Sequence, residues 1–412
     1  MTLGKASLRN NEERRHSASF LSISILGLCV LLCVYAIFPS ESASERFSLF
    51  VRLFFLCFTA LLAVVLGEIR REFIAVFSFL AFIFILLVSW SNAPYFTPRL
   101  VNLVASILCA GLVVAGLASG RANDFAIRVI SGLLVFSAGA LFLQLGIYLV
   151  TDSIVEFHGV VFPWGGSRSA ELERFGIARL SGVHTEPGTH SAFTVGLIIL
   201  RSLMGGRLFD RVAYLSMASV IATLSFWGVL ATTLYFLLYA FSVIENKEGA
   251  KRVLTFFVLF AVASGVVYVG APQYLIEDLI GYFSARAELG DGSGGAKVIA
   301  WVTGLQKLGD VVFFGLPIGA DYCNGCMSPQ DAGLVLNFMM FFGVTASILF
   351  FGVLVFGAYR CGGYALATFS ALLLVVKFYY FDPIVWLIFF TATVCCLRSC
   401  RGRIRESERA TF

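Results

Sequence analysis

Twelve runs of apolar residues, separated by short polar connections, constrain this chain more than any other feature. They fall at Ser19–Phe38, Ser48–Leu66, Phe73–Trp90, Leu100–Leu117, Val129–Val150, Pro187–Leu203, Val212–Leu224, Phe226–Val243, Val253–Ala271, Leu334–Phe356, Tyr364–Val376 and Ile384–Leu397. A membrane-crossing helix needs about 20 such residues. In lipid, every backbone N–H and C=O must be satisfied within the segment, so runs of this kind fold as helices. Only 13% of the 412 residues are charged and 59% are hydrophobic, against about 25% charged in soluble domains. The expected fold is all-α: one polytopic membrane domain over residues 1–412, with about twelve transmembrane helices. The seventh, eleventh and twelfth runs are short, which leaves ten or eleven full crossings as alternatives.

Lys and Arg positions test this assignment. With the N-terminus in the cytoplasm and twelve alternating spans, the cytoplasmic segments hold Lys5, Arg9, Arg14, Arg15, Arg70, Arg71, Arg121, Arg128, Arg201, Arg207, Arg211, Lys247, Lys251, Arg252, Arg360 and five arginines after Leu397. Those twenty compare with nine on the opposite side, and Arg52 lies inside a span. The asymmetry follows the positive-inside rule and predicts that both termini are cytoplasmic. The first apolar run is too long for a typical signal-peptide core and reads as an uncleaved first span. No basic patch interleaved with aromatic residues points to nucleic acid.

Two long connections, residues 151–186 and 272–332, fall on the non-cytoplasmic side and hold most of the charge there. Connections of that length are usually functional or disordered. The first ends in "RLSGVHTEPGTHSAF", which crowds Arg179, His184, Glu186 and His190 around Pro187. Thr185 or Glu186 can cap a helix that starts at Pro187, because proline lacks the N–H that a first turn leaves unused. A capped helix with an interfacial salt bridge is the plain reading. A polar site for an anionic or hydroxylated substrate is the functional one. His184, Glu186 and His190 match no familiar zinc spacing and no fourth ligand is evident, so no metal is expected.

The second connection carries Gly290-Asp-Gly-Ser-Gly-Gly-Ala-Lys297. It departs from a phosphate loop, since alanine separates glycine from lysine and no Ser or Thr follows. Arg286 and Lys297 flank this glycine-rich turn. Both can hold a diphosphate, or both can snorkel to the headgroups. Val298–Leu308 has the pattern of an amphipathic helix lying on the membrane. Cys323 and Cys326 bracket Asn-Gly and can close a small structural disulfide outside the cytoplasm. The remaining eight cysteines, in or beside apolar runs, read as small hydrophobic fillers.

In this order, these residues resemble the Wzy-type polymerases of bacterial surface polysaccharides, within the O-antigen polymerase–ligase superfamily. The resemblance covers about the C-terminal two-thirds of the chain. It rests on an Arg-x-x-Gly-x-x-x-Glu-Pro element at Arg179, Gly182, Glu186 and Pro187. A span bearing Ser225 and Gly228 follows. The large loop then offers Arg286, Gly290–Ser293, Lys297, the amphipathic stretch and "FGLPIGAD". Two positions depart from the pattern: Lys297 stands where relatives more often have arginine, and Gly188 where serine is usual. The resemblance implies a GT-C-like glycosyltransferase in the bacterial inner membrane, with its site and both long loops facing the periplasm. It would join oligosaccharide repeat units carried on undecaprenyl diphosphate, without nucleotide sugar, metal or cofactor, and invert the anomeric carbon. Glu186 or His184 would serve the acceptor hydroxyl, and Arg179, Arg286, Lys297 and His190 would bind the sugar diphosphate. A flippase and a chain-length regulator are implied as partners. An O-antigen ligase and a lipid-linked oligosaccharide transporter are the competing functions. Gln330-Asp331 stands where ligases carry His-Asn, and near-absence of charge within the spans disfavours a transport path.

Overall fold

The computed structural model describes residues 71–92, 98–117, 120–158, 170–172, 177–244, 293–307, 313–317, 333–376 and 378–410, with isolated positions near 54–61 and 277–284. The expected spans Ser19–Phe38, Ser48–Leu66 and Val253–Ala271 lie essentially outside these residues.

What is described is helical apart from one small hairpin. Helices α1 (Arg71–Asn92), α2 (Pro98–Leu117) and α3 (Gly120–Thr151) precede strands β1 (Ala170–Leu172) and β2 (Ile177–Arg179). Then come α4 (Pro187–Leu203), α5 (Arg211–Ala222), α6 (Phe226–Ile244), α7 (Ser293–Gln306), α8 (Leu334–Phe342), α9 (Val344–Ala371) and α10 (Pro383–Ala410). Three helical stretches among the described residues are long and apolar enough to cross a membrane: Leu100–Leu117, Asn123–Thr151 and Val344–Leu374. Shorter apolar helical stretches are Phe73–Leu86, Arg211–Ala222, Phe226–Ser242 and Pro383–Arg398. This is a membrane-embedded helical protein.

The third stretch doubles back. A straight 31-residue helix would measure about 46 Å. Yet the Leu334 N–H, before this stretch, donates to the Val376 carbonyl, just beyond it, at 3.0 Å, so the chain from 334 to 376 closes on itself. The reversal is at Gly362 (φ −137°, ψ 17°) and Gly363 (φ 66°, ψ −162°). Only glycine adopts the second conformation readily. The expected runs Leu334–Phe356 and Tyr364–Val376 are thus separate passes joined by a two-glycine turn. The first is also broken at Gly343, a division its apolar sequence conceals. There, a side chain would meet the Phe313 carbonyl oxygen at 2.7 Å.

α10 is the axis of the core. Ile384 to Val394 are all buried, as an all-round apolar helix requires. Trp386 is fully buried, with its ring 5.1 Å from Phe84 and 5.5 Å from Phe350, and its Nε1–H donates to the Tyr380 carbonyl at 2.8 Å. Arg201 ends α4 as a buried residue rather than a solvated loop cation. It is ion-paired with Asp210, which also caps α5 by accepting from the Ala213 N–H at 2.9 Å. Cys361 and Cys395 correct the reading of the membrane cysteines as fillers: they form a disulfide that ties the glycine turn of α9 to α10.

Candidate functional site

α3 sets the position of the site. Its 32 residues extend about 48 Å, well beyond a hydrocarbon core of about 30 Å. The chain then folds back along it. The Gln144 side chain holds this return at two points, its Nε2 donating to the Val155 carbonyl at 2.7 Å and its Oε1 accepting from the Gly182 N–H at 2.8 Å. The end of the first long connection therefore lies packed against the bundle.

The β1–β2 hairpin pairs Ala170 with Arg179 and leads into a tight turn, with the His184 N–H donating to the Ser181 carbonyl at 3.1 Å. Gly182 has φ +61°, the conformation that the second position of a type I′ or II′ turn demands. A side chain there would also press on Leu141, Cβ to Cβ 3.2 Å. Gly182→Ala is expected to cost about 1–3 kcal/mol through backbone strain, read as a lowered melting temperature in detergent. An unchanged melting temperature would refute this role for the turn.

Glu186 occupies the N-cap position of α4 and Pro187 is its first residue, but the expected side-chain cap does not form: the Glu186 carboxylate makes no capping hydrogen bond to the helix N–H groups. The Glu186 backbone carbonyl accepts from the His190 N–H at 3.1 Å, while its carboxylate accepts from the Thr189 hydroxyl at 3.4 Å. Glu186 and Arg179 are both half-buried.

The two histidines are fully buried, which corrects their placement on an open loop. Their rings stand edge to face, 4.9 Å apart. Ser137 Oγ lies 2.9 Å from His184 Nε2 and 3.5 Å from His190 Nδ1, and His190 Nε2 lies 3.0 Å from Ser219 Oγ. Ser219 donates its own proton to the Ser216 carbonyl at 2.7 Å. Proton positions follow from that terminus. Ser219 accepts from His190 Nε2–H, so neutral His190 accepts from Ser137 at Nδ1, and Ser137 accepts from His184 Nε2–H. Each hydrogen bond of this chain is made with both imidazoles neutral, which removes the cost of burying charge. Burial, then the neighbouring His190 and His158, holds His184 well below the ordinary histidine value. His158, whose Nδ1 meets the Val183 carbonyl at 2.9 Å, is also lowered by burial, against the opposing effects of that carbonyl and Glu156.

These shifts fix a sign. An unfolded histidine takes a proton as pH falls through about 6.5, whereas folded His184 stays neutral. Stability is therefore fully present above that pH and is lost as pH falls below it. The expected result is a melting temperature that is flat from pH 8 to 7 and declines towards pH 5, with a shallower decline in His184→Gln. A melting temperature that rises on acidification would contradict the buried neutral pair.

Behind the histidines, α6 meets α4. A side chain at Gly228 would collide with Ser191 Oγ at 2.7 Å, so this glycine sets the approach of the two helices. Ser225 accepts from the Gly228 N–H at 3.5 Å, and Ser191 Oγ is 3.2 Å from Thr223 Oγ1. The structure thus brings Gly182, Glu186, Pro187, Ser225 and Gly228 to one end of α4.

Sequence reasoning missed Ser137, Gln144, Ser191, Ser219 and Thr223. A signal existed for the first two. Ala126, Ile130, Leu134, Ala138 and Leu141 form the buried face of α3, and Ser137 and Gln144 interrupt that stripe with polar groups that need partners. The amphipathic helix of the second connection is present as α7 but starts earlier than expected, at Ser293. Lys297 therefore lies within a helix rather than beside a flexible turn. Val298, Ile299, Val302 and Leu305 are exposed, and Gly304 abuts Leu336 of α8. Arg286, Cys323 and Cys326 lie outside the described residues. Among those described, no group of three or more His, Cys, Asp or Glu side chains is placed to hold a metal ion.

Comparison with family models, with curated proteins and with solved structures finds no match.

Proposed function

We propose that the chain is a glycosyltransferase of the bacterial inner membrane that polymerises undecaprenyl-diphosphate-linked oligosaccharide repeat units at the periplasmic face. The observation that carries this reading is the convergence at the start of α4. The glycine turn delivers Glu186 to the helix N-terminus directly after Arg179, and the Ser225–Gly228 segment packs behind it on Ser191. In this reading the fold is GT-C-like with about twelve spans and both termini cytoplasmic, supported by the charge asymmetry and by the doubled-back third stretch.

The chemistry assigned to the site is transfer of the growing glycan from its lipid diphosphate to a hydroxyl of the next lipid-linked unit. The hydroxyl oxygen attacks the anomeric carbon, the bond to the diphosphate breaks, and the hydroxyl proton passes to a base. Glu186 is that base. His184 is disfavoured because its Nε2 proton is committed to Ser137 inside the bundle; it and His190 position the turn. Arg179, with Arg286 and Lys297 from the second connection, stabilises the departing diphosphate. A flippase supplying substrate and a chain-length regulator are the partners of such a step.

Acceptor choice tests the reading. Purified protein would be given the lipid-diphosphate repeat unit together with either a second repeat unit or lipid A-core, and released undecaprenyl diphosphate measured by mass spectrometry. Release driven by repeat units alone is expected. Release only with lipid A-core would make the protein a ligase instead.

A further inference from the structure

We propose that the Cys361–Cys395 pair is a site of reversible thiol–disulfide exchange, opened by a dithiol reductant from the arginine-rich end of the bundle. The bond spans 34 residues of sequence and joins the turn between the two passes of α9 to α10. Its two residues differ in exposure: Cys361 is exposed, whereas Cys395 is buried and lines a cleft with Leu117, Asn123, Met204, Thr391 and Arg398. Arg360 precedes Cys361, and Arg398 lies one helical turn beyond Cys395. Those arginines belong to the segments that charge asymmetry assigns to the cytoplasm, where thiols are kept reduced.

Geometry provides for both redox states. Sγ of Cys361 and of Cys395 lie 3.5 and 3.4 Å from the Leu203 carbonyl oxygen at the end of α4. As a disulfide, neither sulfur has a proton to donate. As thiols, both become donors to that carbonyl, so reduction replaces a covalent tie by weak hydrogen bonds at the same place. The exchange balances as a two-electron step. A thiolate of the dithiol attacks Sγ of Cys361, the more exposed residue of the pair, the S–S bond breaks, and Cys395 leaves as a thiolate close to Arg398 and takes up a proton. The second thiol of the reductant then attacks the mixed disulfide, releasing Cys361 and the oxidised reductant. Opening removes the covalent tie between the Gly362–Gly363 turn and α10, beside the end of the helix whose other end carries Glu186.

The test uses the full-length folded protein in detergent, treated with dithiothreitol or left untreated. Free thiols are then tagged with a maleimide and located by mass spectrometry after unfolding. Tagging of Cys361 and Cys395 is expected only after reduction, scored at these two positions apart from any change at Cys323 and Cys326, and oxidised glutathione should remove it again. Cys361→Ser should leave Cys395 tagged in every condition, with a cooperative melting transition confirming the fold. Resistance to dithiothreitol until the protein unfolds would overturn the proposal by making the bond a static staple. Tagging of both cysteines whatever the oxidant would overturn it by showing no bond. The side of attack rests on the proposed orientation and is separable from it. In sealed vesicles, opening by external reduced thioredoxin, a dithiol that does not cross the membrane, only when they are inside-out supports the cytoplasmic assignment. Opening only in right-side-out vesicles would keep the exchange site and refute the orientation.

Discussion

Glu186→Gln is expected to reduce the rate of polymerisation at least about 100-fold, the range over which a positioned base contributes, while leaving the melting temperature nearly unchanged. The amide keeps an oxygen that can accept from the Thr189 hydroxyl, and the backbone carbonyl that accepts from His190 is untouched. What the variant loses is the capacity to take a proton. His184→Gln distinguishes the two candidate bases. Because His184 is buried in the chain through Ser137 to His190, its replacement should lower stability as well as activity. Full activity of Glu186→Gln with the fold intact would remove this residue from the chemistry.

The largest effect on stability is expected at Trp386. Replacing a buried aromatic residue with alanine costs about 3–5 kcal/mol when the cavity cannot collapse. Here Phe84, Phe338, Phe350 and Phe389 surround the indole from three other helices and from α10 itself, with centroids between 5.1 and 6.0 Å away. Lipid offers no hydrophobic drive to associate helices, so packing carries the assembly. Trp386→Ala should lower the melting temperature in detergent by about 5 °C, since the shift falls to about 1 °C per kcal/mol for a chain of this length. Phe241→Ala, whose ring is 69% exposed on α6, should leave it almost unchanged. Equal effects at both positions would show that the aromatic cluster is not the core.

Legibility of the fold tracked the local signals. α4 begins and ends where the apolar run and its leading proline place it, because both signals are written in consecutive residues. The break at Gly343 was hidden, since apolar residues flank it and its cause, the approach of Phe313, comes from a distant segment. The site divides in the same way. Arg179, Gly182 and Glu186 were visible as a spaced element, and the fold supplies the reason for the glycine. Burial of His184 and His190 was not visible, because proximity to charges in sequence suggests a wet loop. Only the fold-back along α3, fastened by Gln144, puts the histidines inside. The partnership of Cys361 with Cys395 likewise depends on a chain reversal that no sequence period reports.

The central proposal is tested most directly with purified protein in liposomes given only the lipid-diphosphate repeat unit, with parent and Glu186→Gln compared side by side and products resolved on a gel. The mechanism predicts a ladder of repeat-unit multiples from the parent, formed without nucleotide sugar, and none from Glu186→Gln at an equal melting temperature. No ladder from the parent with the repeat unit of its own host, or the same ladder from both proteins, would contradict it.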